Sequence, residues 1–193
     1  MTNMATHVAL LRGINVGGRN KVPMAELREV VASLGHTGVT TYIQSGNVLF
    51  TTAESDTAKL ASSLEAAITG AFGVKSSVLV LSRDELAEIL DRNPYPDEPN
   101  PKLVHVVFLN AELPPELLDR IKAAEGASAA KGSRDAVAAI GPALYVHTPD
   151  GFGASELAQV LFRIIGAPGQ KGVAATARNW ATSTKLLSLC EDT

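Results

Sequence analysis

Four prolines interrupt the middle of the chain within residues 93–101: Pro94, Pro96, Pro99 and Pro101. Proline fixes φ and has no backbone N–H, so this density of prolines excludes both a helix interior and a central strand. Apolar runs with strand or helix periodicity lie on each side of the interruption. The prolines therefore predict a linker or crossing loop over residues 94–101, between two folded halves.

The first half, residues 1–93, has the periodicity of four strands and two helices. Strands are predicted over His7–Leu11, Val39–Ile43, Val48–Thr52 and Ser77–Leu81. Apolar residues at helical spacing predict one helix after Pro23 and another after Ser55 or Asp56: Leu27, Val30, Val31 and Leu34, then Leu60, Leu64, Ala67 and Ile68. The order β-α-β-β-α-β is that of the ferredoxin-like fold, and it predicts an antiparallel sheet.

The pattern restarts after the prolines, beyond a short helix that the capping-box pair Ser82 and Glu85 predicts. Strands are predicted over Leu103–Leu109, Ala136–Ile140, Leu144–His147 and Gly172–Ala175. Helices are predicted over Pro115–Lys122, after Gly153 and from near Asn179. We therefore expect an α+β fold with two subdomains, residues 1–93 and 102–193. The first is ferredoxin-like and the second is a similar α/β sandwich.

The composition excludes several classes of protein. Cys190 is the only cysteine of 193 residues, so an internal disulfide and a thiolate metal cluster are impossible. None of the four histidines has metal-ligand spacing. No apolar run is long enough to span a membrane, and the first run is too short for a signal peptide. We expect a cytoplasmic protein with no metal, no cofactor and no membrane partner.

The charges are unevenly distributed around a net charge of −3. Residues 1–25 contain three Lys or Arg and no acid, residues 157–190 contain four and no acid, and residues 84–125 contain ten acids against four cations. A protein that binds a long polyanion is usually basic as a whole. The distribution therefore favours a small anionic ligand and makes nucleic acid a less favoured partner.

The segment Leu11–Lys21 combines three glycines with the cations Arg12, Arg19 and Lys21. Glycines allow backbone N–H groups to converge on an anion, and a following helix start favours negative charge. The segment is close to a P-loop, but Arg19 and Asn20 stand where that motif has Lys and Ser or Thr, which disfavours NTP hydrolysis. Anion binding is the functional interpretation. The alternative is a strand-to-helix turn whose glycines only permit positive φ.

Two further polar segments are candidates for the same site. Gln44, Ser45 and Asn47 lie at a predicted hairpin turn, where small hydrogen-bonding groups replace the aromatic residues of an RNA-recognition motif. Arg178, Asn179 and Lys185 surround the predicted start of the last helix, which Asn179 would cap. The alternatives are a polar hairpin turn and a capped helix with a solvated lysine.

Several long motifs resemble one family of proteins. The segments Ala9–Gly18, Asn20–Leu27 and Thr41–Val48 resemble the opening of the bacterial domain of unknown function 1697, and Leu144, Tyr145, Gly151–Gly153, Arg178–Trp180, Thr182, Lys185 and Leu186 resemble its later motifs. The chain departs from that pattern at Glu156, where Lys is expected, and at Ala181, where Asn is expected. The resemblance implies an α+β fold of two subdomains, the first ferredoxin-like, and no established activity.

We expect a protein that binds a phosphate-bearing or other anionic ligand: a nucleotide, a phosphorylated metabolite or a short nucleic acid. The candidate ligand-binding residues, which would line one cleft, are Arg12, Asn15, Gly17, Gly18, Arg19, Lys21, Gln44, Ser45, Asn47, Arg178, Asn179 and Lys185. One alternative is an enzyme that acts on a small anionic substrate, with a carboxylate such as Glu26 as its base. The other is a protein-interaction module that uses the acidic middle of the chain.

Overall fold

A computed structural model describes residues 5–166 and 173–192 of the chain. The elements of the first half are β1 (His7–Leu11), α1 (Met24–Ser33), β2 (Thr37–Tyr42), β3 (Asn47–Thr51), α2 (Thr57–Phe72), β4 (Val78–Ser82) and α3 (Arg83–Asp91). Those of the second half are β5 (Val104–Leu109), α4 (Pro115–Ala130), β6 (Ala136–Ile140), β7 (Ala143–His147), a 3-10 turn (Phe152–Ala154), α5 (Glu156–Ile165), β8 (Ala175–Asn179) and α6 (Trp180–Asp192).

Each half forms a four-stranded antiparallel sheet with the same topology. The strand order is β2-β3-β1-β4 in the first sheet and β6-β7-β5-β8 in the second. In both sheets the first strand of the βαββαβ order pairs with the third and the fourth. The α+β fold with two similar subdomains is thus confirmed, and the second sheet has the ferredoxin-like order as well.

The chain divides into two compact units, which we call unit 1 and unit 2. Unit 1 contains Met1–Glu88 and Thr184–Thr193, and unit 2 contains Ile89–Ser183. The divisions fall inside α3 and α6, so each of these helices contributes residues to both units. The proline-rich residues 94–101 belong to unit 2, where the Glu98 carboxylate lies 2.6 Å from Nε2 of His147.

Apolar side chains of the strands pack against two helices in each unit. In unit 1, Ala9, Leu11, Val48, Phe50, Val78 and Val80 pack with Leu27, Val31, Leu60, Leu64 and Ile68 of α1 and α2. In unit 2, Val107, Leu109, Leu144 and Val146 pack with Leu117, Ile121, Leu157, Leu161, Ile164 and Ile165 of α4 and α5. The helical spacing in the sequence thus marks the faces that are buried.

The last strand of each sheet continues into a helix without an intervening residue. At the end of β4, Ser82 N–H donates to Glu85 Oε2 at 2.7 Å and Glu85 N–H donates to Ser82 Oγ at 3.1 Å, which is the predicted capping box. At the end of β8, Thr182 N–H donates to Asn179 Oδ1 at 2.8 Å. In each case, therefore, the side chain of the last strand residue caps the helix that follows.

Two elements differ from their predicted bounds by more than two residues. Helix α4 continues to Ala130 rather than ending at Lys122, since alanines extend it and Ser128 is buried on its inner face. The last strand runs over Ala175–Asn179, after the predicted Gly172–Ala175, and Gly172 lies outside the described residues. Its five residues pair with β5, so a tertiary contact positions a segment of low β-propensity.

His105 of β5 is a titratable group inside unit 2. Its ring stacks on Phe152 with the centroids 3.8 Å apart, and among the described residues no hydrogen-bond partner reaches its buried Nδ1. Burial lowers the pKa of His105 from 6.5 to about 4. The imidazole is therefore neutral at pH 7 in the folded protein.

Acid is expected to destabilise the protein through His105. Between pH 6.5 and about 4 the unfolded chain binds a proton that the folded chain does not, so the free energy of unfolding falls over that interval. The loss is on the order of 2 kcal/mol once the partial exposure of the ring is allowed for. Between pH 7 and pH 4.5, we expect the free energy of unfolding of His105→Gln, measured with urea, to fall by about 2 kcal/mol less than that of the wild type. Equal losses in the two proteins would contradict this assignment.

Candidate functional site

The cationic segment after β1 folds into a small hairpin. Asn15 N–H donates to Asn20 O at 3.0 Å, and Arg19 N–H donates to Val16 O at 3.0 Å. The two residues between Val16 and Arg19 are Gly17 and Gly18, and their φ angles are 57° and 75°. Positive φ at both central positions is the requirement of a type I′ turn, which glycine meets without strain. The glycines therefore form the tip of a defined hairpin.

The side chain of Asn15 holds the base of this hairpin. Its Oδ1 accepts from Val22 N–H at 2.9 Å, and its Nδ2 donates to Val22 O at 2.9 Å and to Gln44 O at 3.1 Å. Its φ is 53°, in the left-handed region that asparagine tolerates better than most residues. The Asn15 amide is therefore engaged within unit 1 at both of its polar atoms.

The turn between β2 and β3 packs against the same hairpin through Gly46. Leu11 N–H donates to Gly46 O at 2.8 Å. A Cβ on Gly46 would lie 2.7 Å from Leu11 Cβ and 2.9 Å from Ile14 Cδ1, and its φ is 80°. Only glycine fits this approach. Unit 1 thus brings together two segments that are far apart in sequence, residues 12–21 and residues 43–47, which we call the loop surface.

The loop surface exposes cations and contains no acid. Arg12, Arg19 and Lys21 are exposed, as is Gln44. Within residues 5–166 and 173–192, neither Arg19 nor Lys21 takes part in an ion pair. The amides of Gly17 and Gly18 lie at the exposed tip. These groups are the donors that an anion from solvent would meet.

The remaining polar residues of the β2–β3 turn stabilise the turn itself. Asn47 is fully buried, and its Nδ2 donates to Tyr42 O at 3.1 Å and to Ser45 Oγ at 2.9 Å. Gln44, the third predicted site residue of this turn, is exposed, and within the described chain its side chain makes no hydrogen bond of this kind. Asn47 acts on the loop surface by shaping it.

An open cavity of about 540 Å³ lies in unit 1, lined in part by Lys75, Ser76 and Ser77 before β4. Ser76 and Ser77 also hold the start of the cationic segment, because Ser76 Oγ donates to Arg12 O at 2.8 Å and Arg12 N–H donates to Ser77 O at 3.0 Å. No sequence pattern indicates this support, which joins residues more than sixty positions apart.

The third predicted cluster is divided between the two units. Arg178 and Asn179 belong to unit 2, whereas the exposed Lys185 belongs to unit 1. The Arg178 guanidinium donates through Nη1 to Thr176 Oγ1 at 3.0 Å and to Ala177 O at 2.9 Å. Burial lowers its pKa to about 10, so it is still charged at pH 7. Asn179 caps α6, as predicted.

Other functions would require an enzyme base, a metal site or a membrane span. Glu26, the base of the enzyme alternative, is exposed in the first turn of α1. The described residues contain no cluster of His, Cys, Asp or Glu that could hold a metal ion. None of the helices in residues 5–166 and 173–192 has the length and apolarity that a membrane crossing requires.

The fold and the loop surface define a two-unit α+β protein in which each unit has a ferredoxin-like sheet. The chain belongs to the family described as protein of unknown function (DUF1697), whose model matches residues 4–145. It is also similar to the structure of the conserved bacterial protein SP0830 from Streptococcus pneumoniae, with 25% sequence identity and a TM-score of 0.65 over 97% of this chain and 99% of that one. No curated protein matches the chain. The resemblance in the opening motifs is thereby confirmed.

Proposed function

We propose that the loop surface of unit 1 binds a phosphate-bearing or other anionic ligand. The observation that carries this proposal is the braced cationic hairpin. Asn15 and Gly46 fix it against the β2–β3 turn, while Arg12, Arg19 and Lys21 face solvent. A simple strand-to-helix connection needs none of these cations. Preorganised donors bind an anion at a lower entropic cost than mobile ones.

Each part of the loop surface has a role in this proposal. Arg19 and Lys21 supply charge, and the tip amides of Gly17 and Gly18 supply short-range donors. The exposed carboxamide of Gln44 orients the ligand by accepting or donating one hydrogen bond. The net charge of −3 favours a ligand with few phosphates over a long polyanion.

Isothermal titration with pyrophosphate, a nucleoside monophosphate and a phosphorylated sugar tests the proposal. We expect at least one probe to bind, and Arg19→Ala/Lys21→Ala to weaken its binding by at least about tenfold, because charge-assisted hydrogen bonds are lost. Affinity should fall only shallowly with salt, since one or two phosphates release few counterions.

The matched control is Arg120→Ala/Lys122→Ala, which removes the same charge from exposed positions of α4 in unit 2. It should bind the probe like the wild type. The proposal is overturned if no probe binds, or if the two double variants lose affinity equally, because the second result would reflect net charge alone.

A further inference from the structure

Two exposed apolar side chains lie on the loop surface. Val16 is 67% exposed and Ile43 is 50% exposed. In the part of the chain that the structure describes, the one other exposed large hydrophobic residue is Leu34, at 36%. Isolated apolar residues on a surface are ordinary, but these two occur on adjoining loops beside cations.

Ile43 also has an unfavourable backbone conformation. Its φ is 51°, in the left-handed region that a β-branched residue rarely adopts. Burial does not account for the choice of isoleucine, because the residue is 50% exposed. Asparagine or glycine would fit the same turn with less strain. Strain of this kind recurs at functional sites.

The two residues are chain neighbours of the partners in one hydrogen bond. Asn15 Nδ2 donates to Gln44 O at 3.1 Å, and Val16 follows Asn15 while Ile43 precedes Gln44. Val16 also forms an antiparallel bridge with Arg19 across the tip of the hairpin. These two exposed residues, the apolar pair, therefore lie on the same two joined loops as the cations and the glycine amides.

We infer that the ligand of this site is a nucleoside phosphate, with its base against Val16 and Ile43 and its phosphate near Arg19, Lys21 and the tip amides. This inference rests on the proposed function. A base has an apolar face with polar edges, and apolar side chains are common partners for such faces. An inorganic phosphate or a sugar phosphate would leave both side chains in water. Two short aliphatic groups form too small a patch for an acyl chain.

Gln44 completes the fit to a base. Its exposed carboxamide carries one acceptor and two donors, which is the complement of a base edge. The same chemistry comes from two sources: a free nucleotide, or a nucleotide within a short single strand. The number of phosphates that are bound distinguishes them through the salt dependence of the affinity.

The experiment compares pyrophosphate, adenosine monophosphate and a single-stranded hexanucleotide on the full chain by isothermal titration. Val16→Ser/Ile43→Asn removes the apolar pair, and asparagine is compatible with the backbone at position 43, so the variant is expected to fold. Circular dichroism verifies this. Leu34→Ser, at the C-terminal end of α1, is the matched control.

We expect adenosine monophosphate or the hexanucleotide to bind more tightly than pyrophosphate. The double variant should bind the tighter of these probes with about tenfold lower affinity, while its affinity for pyrophosphate is unchanged. A steep salt slope with the hexanucleotide indicates the single strand as the source, and a shallow one with the mononucleotide indicates the free nucleotide. Equal binding of all probes by wild type and variant overturns the inference but leaves the proposed function intact. If no probe binds, both fail.

Discussion

Gly46→Ala is expected to lower the free energy of unfolding by about 3 kcal/mol. The new Cβ would lie 2.7 Å from Leu11 Cβ and 2.9 Å from Ile14 Cδ1, so buried atoms of unit 1 must move. Such overpacking costs about 1–3 kcal/mol. The φ of 80° adds about 1 kcal/mol, because alanine does not adopt the left-handed region readily. Urea unfolding monitored by circular dichroism measures the change.

Gly70→Ala is the control that adds the same methyl group where there is open space and no positive φ. Gly70 lies within α2, and a Cβ there would meet no atom within 4 Å. Alanine should stabilise the protein at that position by about 0.5–1 kcal/mol, since it favours the helix over the unfolded chain. A Gly46→Ala variant as stable as the wild type would show that the two loops do not pack as described. It would also remove the basis of the loop surface.

Asn15→Ala is expected to cost about 2–3 kcal/mol of unfolding free energy. It removes three hydrogen bonds and leaves the Val22 amide, the Val22 carbonyl and the Gln44 carbonyl without these partners. Asn15→Asp should cost more at pH 7. It replaces the donor Nδ2 with a carboxylate oxygen that faces two carbonyl oxygens. Thermal and urea unfolding measure both changes.

Asn20→Ala is the matched control within the same loop. Asn20 also has a positive φ, 51°, but its side chain makes a single bond, from Nδ2 to Gly13 O at 2.8 Å. The left-handed backbone therefore contributes equally to both alanine variants, and Asn20→Ala should cost only about 1 kcal/mol. Equal costs would mean that the Asn15 amide does not brace the hairpin. Asn15 would then be open to the ligand role that its position first indicated.

Local patterns were sufficient to predict most of the fold. The run His7–Leu11 is a strand with the predicted bounds, because a short apolar run of this length is typical of a buried strand. The pairs Ser82 with Glu85 and Asn179 with Thr182 confirm both helix starts. Sequence patterns place the strand Ala175–Asn179 too early, because its pairing with β5 rather than its own residues determines where it lies.

The candidate site was less predictable than the fold. Sequence reasoning selected residues 12–21 and Gln44 by charge and polarity, but the juxtaposition of the two loops depends on the close approach of Gly46 to Ile14. Nothing local distinguishes this glycine from others. Polarity alone makes Asn47 a candidate ligand-binding residue, whereas in the structure it is buried and bonded within the turn. The strain at Ile43 has no sequence signal, because isoleucine in a β-rich run predicts ordinary strand geometry.

The division of α6 between the units has a consequence for how the protein is made. Unit 1 includes the end of that helix, where Leu186 and Cys190 are both fully buried. During translation the residues up to Glu88 emerge well before this helix, so unit 1 stays unfinished until residues 184–192 have also emerged. In nascent chains the residues of unit 1 should therefore gain protease resistance only after residues 184–192 have emerged.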